Sequence, residues 1–184
     1  DLHGILGDKG LLGNDDDRQQ PSTDTSGWGT SLPWLVACPS TTAEVSAVMA
    51  LCNEHGISVV PQGGLTGLVG GAVPVSGGLA LSLHRMSGIE EFDPESRTLE
   101  VWAGTTLQEA QDYAEDHGFL LALDLGGRGS CQIGGNVSTN AGGNRVIRYG
   151  MTREQVLGLE AVLADGTVID ARNKLLKNNA GFDL

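Results

Sequence analysis

Ile57-Ser58-Val59-Val60-Pro61-Gln62-Gly63-Gly64-Leu65-Thr66-Gly67-Leu68-Val69-Gly70-Gly71 is a short β-branched run that breaks into a glycine-rich loop. Ile57–Val60 reads as a buried strand, and the loop begins at Pro61. Upstream, Thr41 with Glu44 three residues on is a capping box, so a helix starts there. Val45, Val48, Met49 and Cys52 fall at helical spacing and form its core face. Gly56 stops the helix as a left-handed cap. Before it, Trp34–Cys38 reads as another short strand, closed by Pro39. Strand, helix and strand at these lengths make a right-handed βαβ unit. The glycine loop then sits at the carboxyl end of a strand, where α/β folds bind ligands.

Working outward, Leu79–Leu83 is expected to be a further strand. Ile89–Phe92 and Thr98–Ala103 flank Asp93-Pro94-Glu95-Ser96, a turn by composition, and form a hairpin. Thr106 and Glu109 make a second capping box, with the helix running to His117 and Gly118 after it. Leu120–Leu123 reads as extended. Leu157–Ala164 and Thr167–Ala171 surround Asp165-Gly166, the strongest hairpin signal in the chain. Residues 1–33 read as an irregular or partly helical lead-in. The expected class is α+β: a small parallel βαβ subdomain at about 34–104, then a mixed or antiparallel sheet subdomain at about 105–184.

Fourteen of the 28 glycines lie in residues 61–78 and 126–143, which is too concentrated for ordinary loops. Glycine permits positive φ and close approach, so successive N–H groups can point into one concavity and hold a phosphate or pyrophosphate. Thr66 adds a hydroxyl to the first window. Taken alone, that window also fits a tight connection with no ligand. It is neither a P-loop nor a G-x-G-x-x-G fingerprint. The second window runs Asp124-Leu125-Gly126-Gly127-Arg128-Gly129-Ser130-Cys131-Gln132-Ile133-Gly134-Gly135-Asn136-Val137-Ser138-Thr139-Asn140-Ala141-Gly142-Gly143. Its interleaved Ser130, Gln132, Asn136, Ser138, Thr139 and Asn140 suit a large polar ring system with a polyol chain. Arg145, Arg148 and Arg153 follow closely; they read as a solvated or ion-paired face, or as an attractor for a carboxylate substrate.

A net charge of −12 argues against nucleic acid and anionic membrane partners. An acidic chain can still hold a pyrophosphate through direct N–H contact, because charges beyond about 8–10 Å are screened. No apolar run is long enough for a membrane span. Asp1–Asp17 lacks the basic start and apolar stretch of a signal peptide, and none is expected. Asp15, Asp16 and Asp17 read as solvated surface rather than a metal site. Cys38, Cys52 and Cys131 match no zinc pattern and fit a reducing compartment; no metal site is expected.

The two windows, in this order and separation, resemble the PCMH-type FAD-binding domain of the vanillyl-alcohol-oxidase flavoproteins. The match is to the D-2-hydroxy-acid dehydrogenase branch, covering D-2-hydroxyglutarate, D-lactate and glycolate enzymes. That branch typically reads PQGGNTGLVGG, PLDLGxxGSCxIGGNxxTNAGG, RYG, LGLExVLxDGxV and KDNTGYDL. Here the stretches are PQGGLTGLVGG (61–71), ALDLGGRGSCQIGGNVSTNAGG (122–143), RYG (148–150), LGLEAVLADGTVI (157–169) and KNNAGFDL (177–184). Leu65 replaces the usual Asn and Ala122 a Pro.

The resemblance implies FAD as cofactor. Pro61, Gln62, Gly63, Gly64, Leu65, Thr66, Gly67 and Leu68 would wrap its pyrophosphate. Asp124, Leu125, Gly126, Gly129, Ser130 and Ile133, with Gly134, Gly135, Asn136, Ser138, Thr139, Asn140, Gly142 and Gly143, would line the ribityl chain and isoalloxazine ring. Val168 and Ile169 would sit near the adenine. Some relatives attach flavin to a histidine in the first loop. No histidine lies between residues 56 and 83, so non-covalent FAD is implied. The family continues past this point into a substrate domain, so the implied chain is incomplete at its C-terminus. No catalytic residue is assigned within it, and the isolated chain is expected to turn over little substrate. The implied reaction oxidises a small D-2-hydroxy acid, with an electron-acceptor protein or a quinone chain downstream. The implied location is cytoplasmic, or the mitochondrial matrix in a eukaryote. A non-catalytic flavin- or nucleotide-binding module, or a subunit of a split enzyme, is the alternative.

Overall fold

The computed structural model describes residues 1–175, 181, 182 and 184. The lead-in is partly helical, as expected: α1 (Leu2–Leu6), a 3-10 turn, β1 (Leu11–Leu12), α2 (Asp15–Gln19) and a second 3-10 turn. β2 (Leu35–Ala37), α3 (Thr42–Glu54), β3 (Val59–Gln62) and β4 (Leu79–Ser82) follow. The sheet order is β1-β2-β4-β3, with β2, β4 and β3 parallel and β1 antiparallel to β2. β4 is inserted between the two strands of the βαβ unit. Its Leu79, Ala80 and Leu81 are all buried, which a central parallel strand covered on both faces requires.

One face carries the main core. Ala37, Leu79 and Leu81 meet Val45, Val48 and Cys52 of α3 and Leu2 and Leu6 of α1. Val36, Cys38 and Ala80 turn to the other face. β3 runs two residues further than expected and takes in Pro61 and Gln62. Proline is tolerated there because β3 is an edge strand, where part of the backbone has no ladder to serve.

The helix ends follow the sequence signals in part. Thr41 Oγ1 accepts from Glu44 N, and Thr106 Oγ1 accepts from Glu109 N at the start of α4 (Leu107–Asp116). The reciprocal half of each capping box is missing. Glu44 instead accepts from Ser40 N and Oγ, and Glu109 from Ser87 Oγ. Gly56 and Gly118 lie past the helix ends at φ +64° and +80°.

β5 (Ile89–Asp93) with β6 (Thr98–Val101), and β7 (Glu160–Val162) with β8 (Val168–Asp170), are separate antiparallel hairpins. Gly166 turns the second at φ +87°, and its carbonyl accepts from Ser46 Oγ on α3 at 2.5 Å. Arg172 and Lys174 join the two hairpins. Arg172 reaches Asp170 and Glu100 at 2.8 Å each, with Glu160 at 3.6 Å and Glu90 at 3.9 Å. Lys174 reaches Glu91 at 2.7 Å.

Three short helices arise where none was expected: α5 (Ile133–Ser138), α6 (Val146–Tyr149) and α7 (Thr152–Gln155). Leu120–Leu123 forms no strand. Gln111 Nε2 donates to the Leu121 and Leu123 carbonyls at 3.2 and 2.5 Å, taking the place of a ladder. Most of the 177–184 stretch lies outside the described residues.

Candidate functional site

β3 delivers the first loop. Gln62 is 2% exposed, and its Nε2 donates to the carbonyls of Pro21 and Ala72 at 2.7 Å each. Its side chain thus closes the base of the loop. From Gly64 to Gly71, no backbone N–H donates to an acceptor among the described residues. These eight consecutive donors lie on half-buried or exposed residues, so they are open to solvent or to a ligand. Leu65 sits at φ +56°, the left-handed region that asparagine or glycine fills with least strain.

The second loop lies against the first, and the glycines divide by what surrounds them. A Cβ on Gly64 would stand 1.8 Å from the Ser130 carbonyl, and one on Gly63 would stand 3.3 Å from Gln132 Oε1. A Cβ on Gly127 would meet Thr66 Cγ2 at 3.3 Å. Gly134 backs onto Ala103 at 2.8 Å, and Gly143 onto the Asp124 carbonyl at 2.3 Å. These positions bring chain against chain. Gly71, Gly126, Gly129 and Gly135 differ: nothing lies within 4 Å of a Cβ there. None of those four has a positive φ. They leave space beside the junction of the loops.

Several polar side chains of the second window are engaged within the chain. Ser138 Oγ donates to the Gly134 carbonyl at 2.7 Å, and Thr139 Oγ1 to that of Gly135 at 2.9 Å. Asn136 is buried, with Nδ2 3.6 Å from Cys131 Sγ. Asn140 Oδ1 accepts from Arg153 N at 3.0 Å. Thr66 and Ser130 lie where the loops meet, and their hydroxyls make no hydrogen bond among the described residues. Gln132 Oε1 is buried there without a partner. Asp124 and Gly143 form an isolated parallel bridge, beside Leu125. Ile133 N donates to the Thr105 carbonyl, and Gly142 packs toward Val146 and Met151. Pro61 and the tip residues Gly67 and Leu68 are exposed. Val168 and Ile169 lie on β8 in the hairpin seated on α3, and the contacts joining the two loops do not reach them.

Arg145 stands 3.8 Å from Asp124, and Arg148 lies over the Tyr149 ring. Arg145 thus fits the ion-paired reading, whereas the Arg148 contact is a cation–π one. Burial raises the thiol of Cys38 to about 11 and also pushes that of Cys52 upward, so both are unreactive packing residues. Among the described residues no cluster of His, Cys, Asp and Glu could hold a metal ion, and no helix is long and apolar enough to cross a membrane.

The sequence profile of the FAD-binding domain matches residues 33–172. The chain belongs to the FAD-binding domain family. This FAD-binding domain is 48% identical over 180 residues to the probable mitochondrial D-2-hydroxyglutarate dehydrogenase of Oryza sativa subsp. indica, covering 98% of this chain and 32% of that protein. It is 50% identical over 146 residues to the mitochondrial D-2-hydroxyglutarate dehydrogenase of Bos taurus, covering 79% and 27%. The chain therefore spans about a third of the curated relatives it matches. Among solved structures, alkyldihydroxyacetonephosphate synthase superposes with a TM-score of 0.86 at 20% identity, covering 99% of this chain and 35% of that one. p-Cresol methylhydroxylase superposes with a TM-score of 0.72 at 25% identity, covering 91% and 33%. The fold is the α+β, PCMH-type one, and the cofactor of the family is FAD.

The residues present fit that cofactor. Unspent N–H groups in the first loop suit a pyrophosphate, and the open glycines of the second leave room for a planar ring. The sequence reading passed over residues 21–28 of the lead-in, which touch the first loop. Thr25 donates to the Leu65 carbonyl, and Asp24 accepts from Ala72 N. The only local signal was Asp24 with Ser26 two residues on, the pattern of an Asx turn, which does form here.

Proposed function

We propose that the two loops hold FAD non-covalently and that the complete protein oxidises a D-2-hydroxy acid to its 2-oxo acid. D-2-Hydroxyglutarate is the first candidate substrate, with D-lactate and glycolate behind it. Pro61–Leu68 wrap the pyrophosphate, with Thr66 adding its hydroxyl. Asp124–Ile133 and Gly134–Gly143 face the ribityl chain and the ring, while Val168 and Ile169 stand toward the adenine. The observation that carries the cofactor assignment is the run of unspent donors from Gly64 to Gly71 beside glycines with open Cβ directions. Identity near 50% to proteins named D-2-hydroxyglutarate dehydrogenases supports the substrate class.

Bound FAD would supply the acceptor for a hydride from C2 of the substrate, with a base taking the hydroxyl proton. Residues 1–184 bind and orient the cofactor as two subdomains, about 34–104 and 105–184, behind the lead-in. The base and the substrate pocket belong to a further domain, which residues 1–184 do not supply. Electrons pass on to an acceptor protein or a quinone chain. The location is cytoplasmic, or the mitochondrial matrix in a eukaryote; the rice and cattle relatives are both named mitochondrial.

The test adds FAD, removes the excess and records the visible spectrum. Flavin bands that denaturation releases into solution are expected, while a colourless protein overturns the cradle. Colour that stays on the denatured chain overturns non-covalent binding. D-2-hydroxyglutarate with a dye acceptor should give little turnover on residues 1–184 alone and ready turnover on a chain carrying a substrate domain. Tight FAD binding with no turnover in either form makes the chain a flavin-binding module instead.

A further inference from the structure

The lead-in forms a strap behind the first glycine loop. Thr25 donates twice to the Leu65 carbonyl, from N and from Oγ1, at 3.0 Å each. The strap itself is braced by Asp24, whose Oδ1 accepts from Ser26 N at 2.9 Å and from Ser26 Oγ. Asp24 Oδ2 accepts from Ala72 N at 3.5 Å, where the loop ends. Trp28 lies against Gly70, with 3.4 Å from the Trp28 Cβ to a Cβ built on that glycine. The strap residues Asp24, Thr25, Ser26 and Trp28 all precede residue 33, where the match to the family profile begins.

The double contact at Leu65 has a geometric consequence. The Leu65 carbonyl and the Thr66 N–H belong to one planar trans peptide, so they point in opposite directions. Anchoring the carbonyl on the strap turns the Thr66 N–H away from it. The same contact holds Leu65 in a left-handed conformation that a side chain with a Cβ disfavours. Without the anchor, the peptide can flip and present a carbonyl where a donor is needed. A carbonyl facing a phosphate oxygen repels it.

We propose that Thr25 is a positioning residue for the cofactor: by holding the Leu65–Thr66 peptide in one orientation, it aims the Thr66 N–H at the pyrophosphate. This rests on the reading of the first loop as the pyrophosphate site. Asp24 holds the strap and the end of the loop, and Thr25 sets the donor direction.

The test uses the chain of residues 1–184 and measures FAD affinity by quenching of flavin fluorescence. Apo-protein melting is recorded beside it. Thr25 is exposed, so Thr25→Val should fold. It keeps the N–H bond, loses the hydroxyl bond, and is expected to weaken FAD binding about tenfold with apo melting unchanged. Thr25→Ser restores the hydroxyl and should return affinity to near the parent value. Gly129→Leu fills open space in the cradle and serves as the control for the site. If Gly129→Leu loses FAD while Thr25→Val binds like the parent, the positioning role is wrong and the cradle stands. If Gly129→Leu also binds like the parent, the cradle reading fails and the role falls with it. Affinity and apo melting that drop together in Thr25→Val reduce the strap to a structural brace and overturn the proposal.

Discussion

Leu65 occupies a backbone conformation that costs a residue with a Cβ roughly 1–2 kcal/mol. Asparagine visits that region more easily because its short amide can bond locally. Leu65→Asn is therefore expected to raise stability by about 1 kcal/mol, or about 2–4 °C in melting temperature for a chain of this size. Thermal melting of the apo-protein checks it, and a fall in melting temperature would mean that Leu65's packing outweighs the strain. That Asn is usual at this position was legible in the motif; its reason was not, because a backbone angle has no signature in a residue name. The glycines teach the same lesson. Gly64 and Gly129 look alike in sequence, yet one abuts the Ser130 carbonyl and the other faces open space. Only the fold separates a glycine packed against the chain from one that faces open space.

Among the elements, α5 carries this distinction on adjacent residues. Gly134 faces Ala103, where a Cβ would stand 2.8 Å from the alanine Cβ and 3.0 Å from its carbonyl, whereas Gly135 meets nothing within 4 Å. Gly134→Ala should cost about 1–3 kcal/mol by overpacking. Gly135→Ala should stabilise the apo-protein by up to about 1 kcal/mol through helix propensity. It should also weaken FAD binding if that face belongs to the cofactor. Melting and flavin titration on the two variants check both statements, and equal melting temperatures would contradict the packing argument. α4 offers a plainer case. Thr106→Ala removes the acceptor for Glu109 N and should cost about 1 kcal/mol of stability by urea unfolding, with FAD affinity unaffected. The capped helices and the Asp-Gly hairpin were readable because caps and turns are local chemistry. α5, α6 and α7 were not, since each is six residues or fewer. Such helices exist only because tertiary contacts hold them. Likewise the insertion of β4 between β2 and β3 is a long-range pairing that local pattern does not encode.

In the whole molecule, the parts without a shared sheet are joined by charge. Arg172 stands among Asp170, Glu100, Glu160 and Glu90 and ties the β7–β8 hairpin to the β5–β6 hairpin. Thr42 Oγ1 donates to Glu160 at 2.5 Å, which extends the tie to α3. The hydrogen bonds from Arg172 hold the Asp170 carboxyl down at about 2. Glu90 is pushed the other way, first by burial and then by the Glu100 charge. Replacing Arg172 with methionine leaves four carboxylates facing one another. At pH 7 melting should fall by about 2–4 °C, a modest loss because the site is partly open to solvent. Acidification should narrow that gap from both sides. The parent loses the Asp170 contribution as pH falls from the usual aspartate range toward 2, because its folded-state value lies below the unfolded one. The variant recovers as Glu90, already raised and now without its counter-charge, takes up a proton at higher pH than an ordinary glutamate. Melting curves of both proteins from pH 7 to pH 2.5 check this. A gap that stays constant across that range would show that Arg172 joins the hairpins by packing of its aliphatic stem rather than by charge.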